Sequence, residues 1–189
     1  MAVRVWGKRA RVTQSILIIA AHPAFHRSRA NRALRFAAAG CAHVTLHDLY
    51  ETYPDFLIDV TAEQERLAQH DHIVLLHPLF WYSCPALLKE WIDLVLAYGW
   101  AYGETGKALV GKTWTQAITA GAPEEAYMPK GRNRFTLEEL LRPFEATAHL
   151  CNCEWQTPFI VNSSRDASPV ALMQAGHDFR TMLELLANG

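Results

Sequence analysis

The chain has 189 residues, 50% of them apolar and 20% charged, with a formal net charge of −1, which is one domain's worth of sequence with enough apolar material for its own core. Charge this close to neutral argues against nucleic acid, whose backbone calls for a concentrated excess of Lys and Arg, and no apolar stretch is long enough to span a bilayer. Cys41, Cys84, Cys151 and Cys153 form no C-x-x-C pair and follow no secretory leader; they read as reduced cytoplasmic thiols rather than a disulfide or zinc framework.

Residues 1–14 contain Arg4, Lys8, Arg9 and Arg11 and no acid, and they lack the apolar centre of a secretion signal. They read as a disordered basic extension. With these four cations set aside, the single domain expected over residues 15–189 carries −5.

The run from Ile16 to Ala21 is the signature of a strand buried on both faces. It breaks into a polar loop, and Ser28 is the natural N-cap of a helix reaching about Ala39, with Gly40 as its stop. His43 to Leu49 alternates as a second strand, followed by a loop from Tyr50 to Val60. A helix is expected from Thr61, where Thr61 and Gln64 fit a capping box. Asp71 to His77 is a third buried strand, ending in the loop from Pro78 to Cys84. Pro85 suits the first turn of a helix carrying Leu87, Leu88, Trp91, Ile92, Val95 and Leu96 on one face. Leu94 and Tyr98 make its other side apolar as well, which points to a homodimer seam or to a helix packed on two faces. Thr113 to Thr119 is a fourth strand, and a third loop runs from Ala120 to Arg134. Thr136 caps a helix expected to be interrupted at Pro143 and to continue to about His149. Trp155 to Val161 reads as the fifth strand, and Pro169 to Ala187 as a final helix with Leu172, Phe179, Leu183 and Leu186 inward.

Strands alternating with helices predict an α/β, doubly wound five-stranded parallel sheet of order 2-1-3-4-5 with helices on both faces. In that topology the ligand crevice lies at the carboxyl ends of the first and third strands. All three loops lie at that end. The first offers the N–H groups and dipole of a helix N-terminus together with His22, Ser28 and Asn31, a set of donors suited to a phosphate monoester. The second offers Phe80, Trp81 and Tyr82, which can cover a flat heteroaromatic ring. The third offers small residues and bare amides. A phosphate, a flat ring and a polar ring edge together describe flavin mononucleotide.

The segments Ala21-His-Pro23, Ser28-Arg-Ala-Asn31, His77-Pro-Leu-Phe-Trp-Tyr82, Pro85 to Asp93 and Gly99-Trp-Ala-Tyr-Gly103 resemble the NAD(P)H:quinone oxidoreductase family of flavodoxin-like flavoproteins. Within it, the ancillary flavoproteins of the Kef glutathione-gated potassium-efflux systems are the most similar, and Tyr53-Pro-Asp-Phe56 and Ile58-Asp59 share in the likeness. The resemblance spans about Ile16 to Val161. It implies FMN, with FAD as the alternative flavin, held by His22, Ser28, Arg29, Ala30 and Asn31, by Leu79, Phe80, Trp81 and Tyr82, and by Thr119, Ala120, Gly121 and Ala122. It implies NAD(P)H as co-substrate, a quinone or similar aromatic acceptor, a homodimer, and Tyr127 as a residue assisting hydride transfer.

Two positions depart from that pattern. Asn133 stands where the animal enzymes have a second catalytic histidine. Thr119-Ala-Gly-Ala122 replaces a run of glycines, so each alanine is expected to limit how the third loop cradles a flavin edge. A regulatory role, binding a Kef-type membrane protein, is the alternative to a free-standing reductase and would place a cytoplasmic protein at the inner membrane. A one-electron carrier of the short-chain flavodoxin type is disfavoured because the first loop lacks its Thr-Gly step. The nine histidines do not combine with carboxylates at metal-site spacing, so no metal is expected.

Overall fold

The computed structural model describes residues 13–189. Of the basic extension expected over residues 1–14, all but two residues lie outside the described range. Gln14 is already tied to the domain, its N–H donating to the Ala187 carbonyl at 3.0 Å.

A parallel sheet of order β2-β1-β3-β4-β5 forms the centre, with β6 also paired to β4. The elements in chain order are β1 (Ile16–Ala20), α1 (Arg29–Ala39), β2 (Val44–Asp48), α2 (Leu49–Thr52), α3 (Val60–Ala68), β3 (His72–Pro78), α4 (Ala86–Val95), β4 (Thr113–Thr119), α5 (Leu137–Leu150), β5 (Glu154–Trp155), β6 (Phe159–Val161) and α6 (Pro169–Asn188). Ile16, Ile18 and Ala20 pack with Leu34 of α1 and Phe179 and Leu183 of α6. Leu17 and Ile19 point the other way, to Leu87, Leu88 and Trp91 of α4. Both faces of β1 are therefore covered, which is why its sequence shows no polar alternation.

Four local expectations are corrected. The strand expected over Trp155 to Val161 is two strands, β5 and β6, both against β4. Pro158 between them has no N–H to give to a ladder, and the Thr115 hydroxyl donates to the Thr157 carbonyl at 3.0 Å across the gap. The loop after β2 opens with α2, because the Asp48 carboxylate accepts from the N–H groups of Tyr50 and Glu51. The helix expected from Thr61 is capped two residues earlier by Asp59, which accepts from Ala62, while Gln64 donates to the Val95 carbonyl. Pro143 does not interrupt α5. It lies on the exposed face, where the carbonyl it leaves unpaired need not be buried, and the Thr136–Glu139 capping box secures the start.

The opposite end of the sheet from the crevice holds structural histidines: His70 bonds Thr45 and the Arg66 carbonyl, and His72 bonds Gln14 and Thr113. Cys151 and Cys153 are buried, and burial pushes their thiols up to about 11 and about 12. Glu63 is fully buried and accepts from Tyr53, Arg66 and Trp91, with His47 Nε2 at 2.9 Å. This locks α3 and α4 to β2. Leu94 on α4 and Tyr98, just beyond its end, stay exposed within one chain. Among the described residues no helix is long and apolar enough to cross a membrane.

Candidate functional site

The carboxyl ends of β1, β3 and β4 enclose a cleft of about 300 Å³ lined by His22, Ser28, Arg29, Ala30, Asn31, Leu79, Phe80, Thr119 and Gly121, together with Arg27, Pro78, Ser164 and Arg165. Parallel pairing is what aligns these ends. Ala20 of β1 is in register with Leu76 of β3, and Pro78 of β3 with Thr119 of β4.

Ser28 caps α1, its hydroxyl oxygen accepting from the Asn31 N–H at 3.3 Å and from the Asn31 amide at 3.0 Å. That amide also donates to Thr119 Oγ1 at 2.7 Å. Both hydroxyl oxygens therefore act as acceptors within the protein, and neither proton has a partner among the hydrogen bonds of the described residues. Among the described residues Asn31 Oδ1 is buried without a partner. The first-turn N–H groups of α1 and the guanidinium groups of Arg27, Arg29 and Arg165 complete a donor set matched to a phosphate.

His22 stands beside it. Its Nδ1 accepts from the Ala24 N–H at 3.0 Å, which assigns the proton of the neutral ring to Nε2. Burial holds its pKa below 6.5, the His22 backbone raises it somewhat, and His26 lowers it again. The ring packs against Phe25 and Phe80.

The second loop is a tight reverse turn in which Phe80 and Ser83 exchange both backbone hydrogen bonds. Its two central residues, Trp81 and Tyr82, both have positive φ, 48° and 63°. Such turns ordinarily use Asn-Gly, and a bulky side chain in this region costs roughly 1–2 kcal/mol. Trp81 is 93% exposed, so no packing within the chain compensates the strain. Neither Trp81 nor Tyr82 lines the cleft. They stand at its rim, where the Tyr82 hydroxyl donates to Asn133 Oδ1 at 3.4 Å.

The third loop places its residues differently from expectation. None of Ala120, Gly121 and Ala122 has positive φ, so the alanines impose no backbone strain. The Ala120 methyl is buried against Tyr127 and Leu137, away from the cleft. Gly121 alone lines it, with space above it up to the Arg165 guanidinium. Tyr127 does not line the cleft. Its ring is buried, and burial raises its pKa, with Tyr82 adding to the rise and the Ala122 backbone and Arg132 offsetting it. The geometry makes it an anchor for this loop.

Sequence reasoning missed Ser164 and Arg165. The loop after β6 is stitched to the third loop by Ser163 N–H to the Ala122 carbonyl and Ser164 N–H to the Ala120 carbonyl, both 2.9 Å. A cation following the last strand, at the sheet end that carries the other loops, was the available signal.

A parallel sheet of this order, with a capped helix N-terminus and a polar cleft at the carboxyl end of β1, defines a flavodoxin-like protein. The chain belongs to the family described as flavodoxin-like fold, whose model matches residues 14–183. It is 52% identical over 157 residues, covering 83% of this chain and 86% of the relative, to the glutathione-regulated potassium-efflux system ancillary protein KefG of Pectobacterium carotovorum. Among solved structures it is similar to general stress protein 14 of Treponema denticola in complex with FMN, with 39% identity, a TM-score of 0.87 and coverage of 91% and 99% of the two chains. An NADPH-quinone reductase from P. pentosaceus is 32% identical with a TM-score of 0.82 over 89% and 97%. The resemblance to the NAD(P)H:quinone oxidoreductase family and to its Kef ancillary members is borne out.

Proposed function

We propose that this chain is an FMN-dependent oxidoreductase passing hydride from NAD(P)H to a quinone or similar aromatic acceptor. The observation that carries the reading is the Ser28–Asn31–Thr119 bridge, which leaves two hydroxyl protons and a helix N-terminus facing one cleft. Ser28, Thr119, Arg29 and Arg165 would hold the FMN phosphate. Phe80, Trp81 and Tyr82 would cover the ring, and Gly121 would admit its polar edge beside bare backbone amides. Bound there, FMN supplies two-electron hydride chemistry. The chain's own part is to fix the ring, to donate hydrogen bonds to charge at its polar edge, and to keep His22 a neutral Nε2–H donor. The similarity to an FMN complex and to a quinone reductase supports FMN and the acceptor class.

Leu94, exposed on α4, and Tyr98, exposed just beyond its end, support a homodimer through that helix. The test is the visible spectrum of the purified protein, followed by NADPH without oxygen and then a quinone. Flavin absorbance that bleaches and returns is the expected result. A colourless protein that takes up no added FMN would end this reading.

A second reading is favoured by the 52% identity to KefG: an ancillary subunit that binds a Kef-type potassium-efflux protein and so works at the membrane through its partner. Copurification with such a transporter tests it, and reductase chemistry is compatible with it.

A further inference from the structure

We propose that the outer face of α1 is a docking groove for an acidic segment of a partner protein. A cleft of about 830 Å³, larger than the cofactor cleft, runs along this face between Phe25, Arg29, Arg32 and Phe36 on one side and Leu46 and Glu51 on the other. The buried stripe of α1, Ala30, Asn31, Leu34 and Ala38, is spent on the sheet and α6, so Arg29, Arg32 and Phe36 form a separate outward stripe at helical spacing.

The groove carries an unbalanced charge. Arg35 is neutralised by Asp48 at 2.7 Å and Glu51 at 3.2 Å and lies over the Phe25 ring, so it forms a wall. Arg29 and Arg32 make no ion pair among the described residues, and Arg32 spends one N–H on the His26 carbonyl at 3.4 Å. Outside its first fourteen residues the chain is net negative, so Arg32, which no acid balances among the described residues and which lies outside the phosphate cleft that Arg29 also lines, is a local reversal of charge. Between them and the end of the helix, Phe36 is 84% exposed. An aromatic ring held in water among arginines is the composition from which interface anchors are made, and covering it removes apolar surface from water. A lipid surface calls for a cluster of several cations, and the few here, set beside an exposed aromatic ring, select an acidic peptide chain instead.

This inference rests on the partner-binding reading; Arg29 borders both clefts, whereas Arg32 and Phe36, the residues tested, lie outside the cofactor cleft. The experiment titrates the purified protein into a fluorescein-labelled short peptide rich in Asp and Glu and carrying one Phe, and into its counterpart with Gln and Asn in place of the acids, reading anisotropy. Arg32→Glu and Phe36→Ser are compared with the wild type. Binding of the acidic peptide alone, weakened about tenfold by each substitution, is expected, with flavin absorbance and quinone turnover of both variants unchanged. No binding, equal binding by the variants, or binding of phosphatidylserine vesicles with the same sensitivity to Arg32→Glu overturns the proposal. A colourless wild-type protein would end the oxidoreductase reading and leave this titration readable.

Discussion

The Asn31 amide and the Thr119 hydroxyl, 88 residues apart in sequence, meet at 2.7 Å at the floor of the cleft. This bond joins the helix that follows β1 to the end of β4, and through Ser28 it sets the helix cap as well. Asn31→Ala removes two hydrogen bonds donated by a nearly fully buried side chain. Stability is expected to fall by roughly 1–3 kcal/mol and FMN affinity by at least about tenfold, read by urea unfolding and by quenching of flavin fluorescence. Unchanged affinity would mean that the cap does not shape the phosphate site.

Trp81→Gly is expected to act in opposite directions on stability and on function. Glycine adopts positive φ without strain, and the exposed indole gives up no packing, so the apoprotein should gain about 1 kcal/mol. Flavin or acceptor binding should weaken if the ring is the cover it is proposed to be. A more stable variant with reduced KM-dependent turnover is the expected pair of results, measured by thermal melting and steady-state kinetics.

Tyr127 separates anchoring from chemistry. Tyr127→Phe keeps the buried ring, so both half-reactions followed by stopped-flow absorbance should stay within about threefold of the wild type. Tyr127→Ala empties the space between Ala120 and Leu137 and should cost roughly 3–5 kcal/mol. A large loss in the Phe variant would restore a direct role for the hydroxyl.

His77 gives the stability a pH dependence. It is fully buried, and burial lowers its pKa to about 4 from 6.5, with the Pro78 carbonyl and Gln116 opposing that fall. The folded state binds this proton less readily than the unfolded chain, so the contribution is complete above pH 6.5. It declines as the pH falls and is gone below about 4, a loss of about 3 kcal/mol. His22 and His72 are lowered too and slope the same way. His77→Asn, which keeps a donor for the Pro78 carbonyl, should flatten the stability profile between pH 6.5 and 4 in chemical denaturation.

Arg165→Ala tests the cation that the loop after β6 adds. The side chain is exposed, so the melting temperature should hold while FMN affinity drops about tenfold. If riboflavin, which lacks the phosphate, binds both proteins alike, the loss belongs to the phosphate contact.

The order of elements was legible because each has a local cause. Ile16 to Ala20 is apolar throughout, Ser28 is a capping residue, and Thr113–Thr119 lies between turn and loop residues. These need no knowledge of distant partners. Where the sequence misled, a competing partner had decided the matter. Asp59 displaced Thr61 as a cap, and Pro158 split one strand into two against β4.

The site divides in the same way. The helix cap at Ser28 and the aromatic character of Phe80 to Tyr82 follow from residue types next to strand ends, and the sequence alone determined them. Which side of its loop each residue presents did not follow, because direction depends on bonds between strands and loops far apart in the chain. Only the tertiary structure buried Ala120 and Tyr127, left Gly121 facing the cleft, and drew Arg165 to it through Ser163 and Ser164. A backbone hydrogen bond between distant loops is invisible in side-chain identity, since every residue but proline carries the same donor and acceptor.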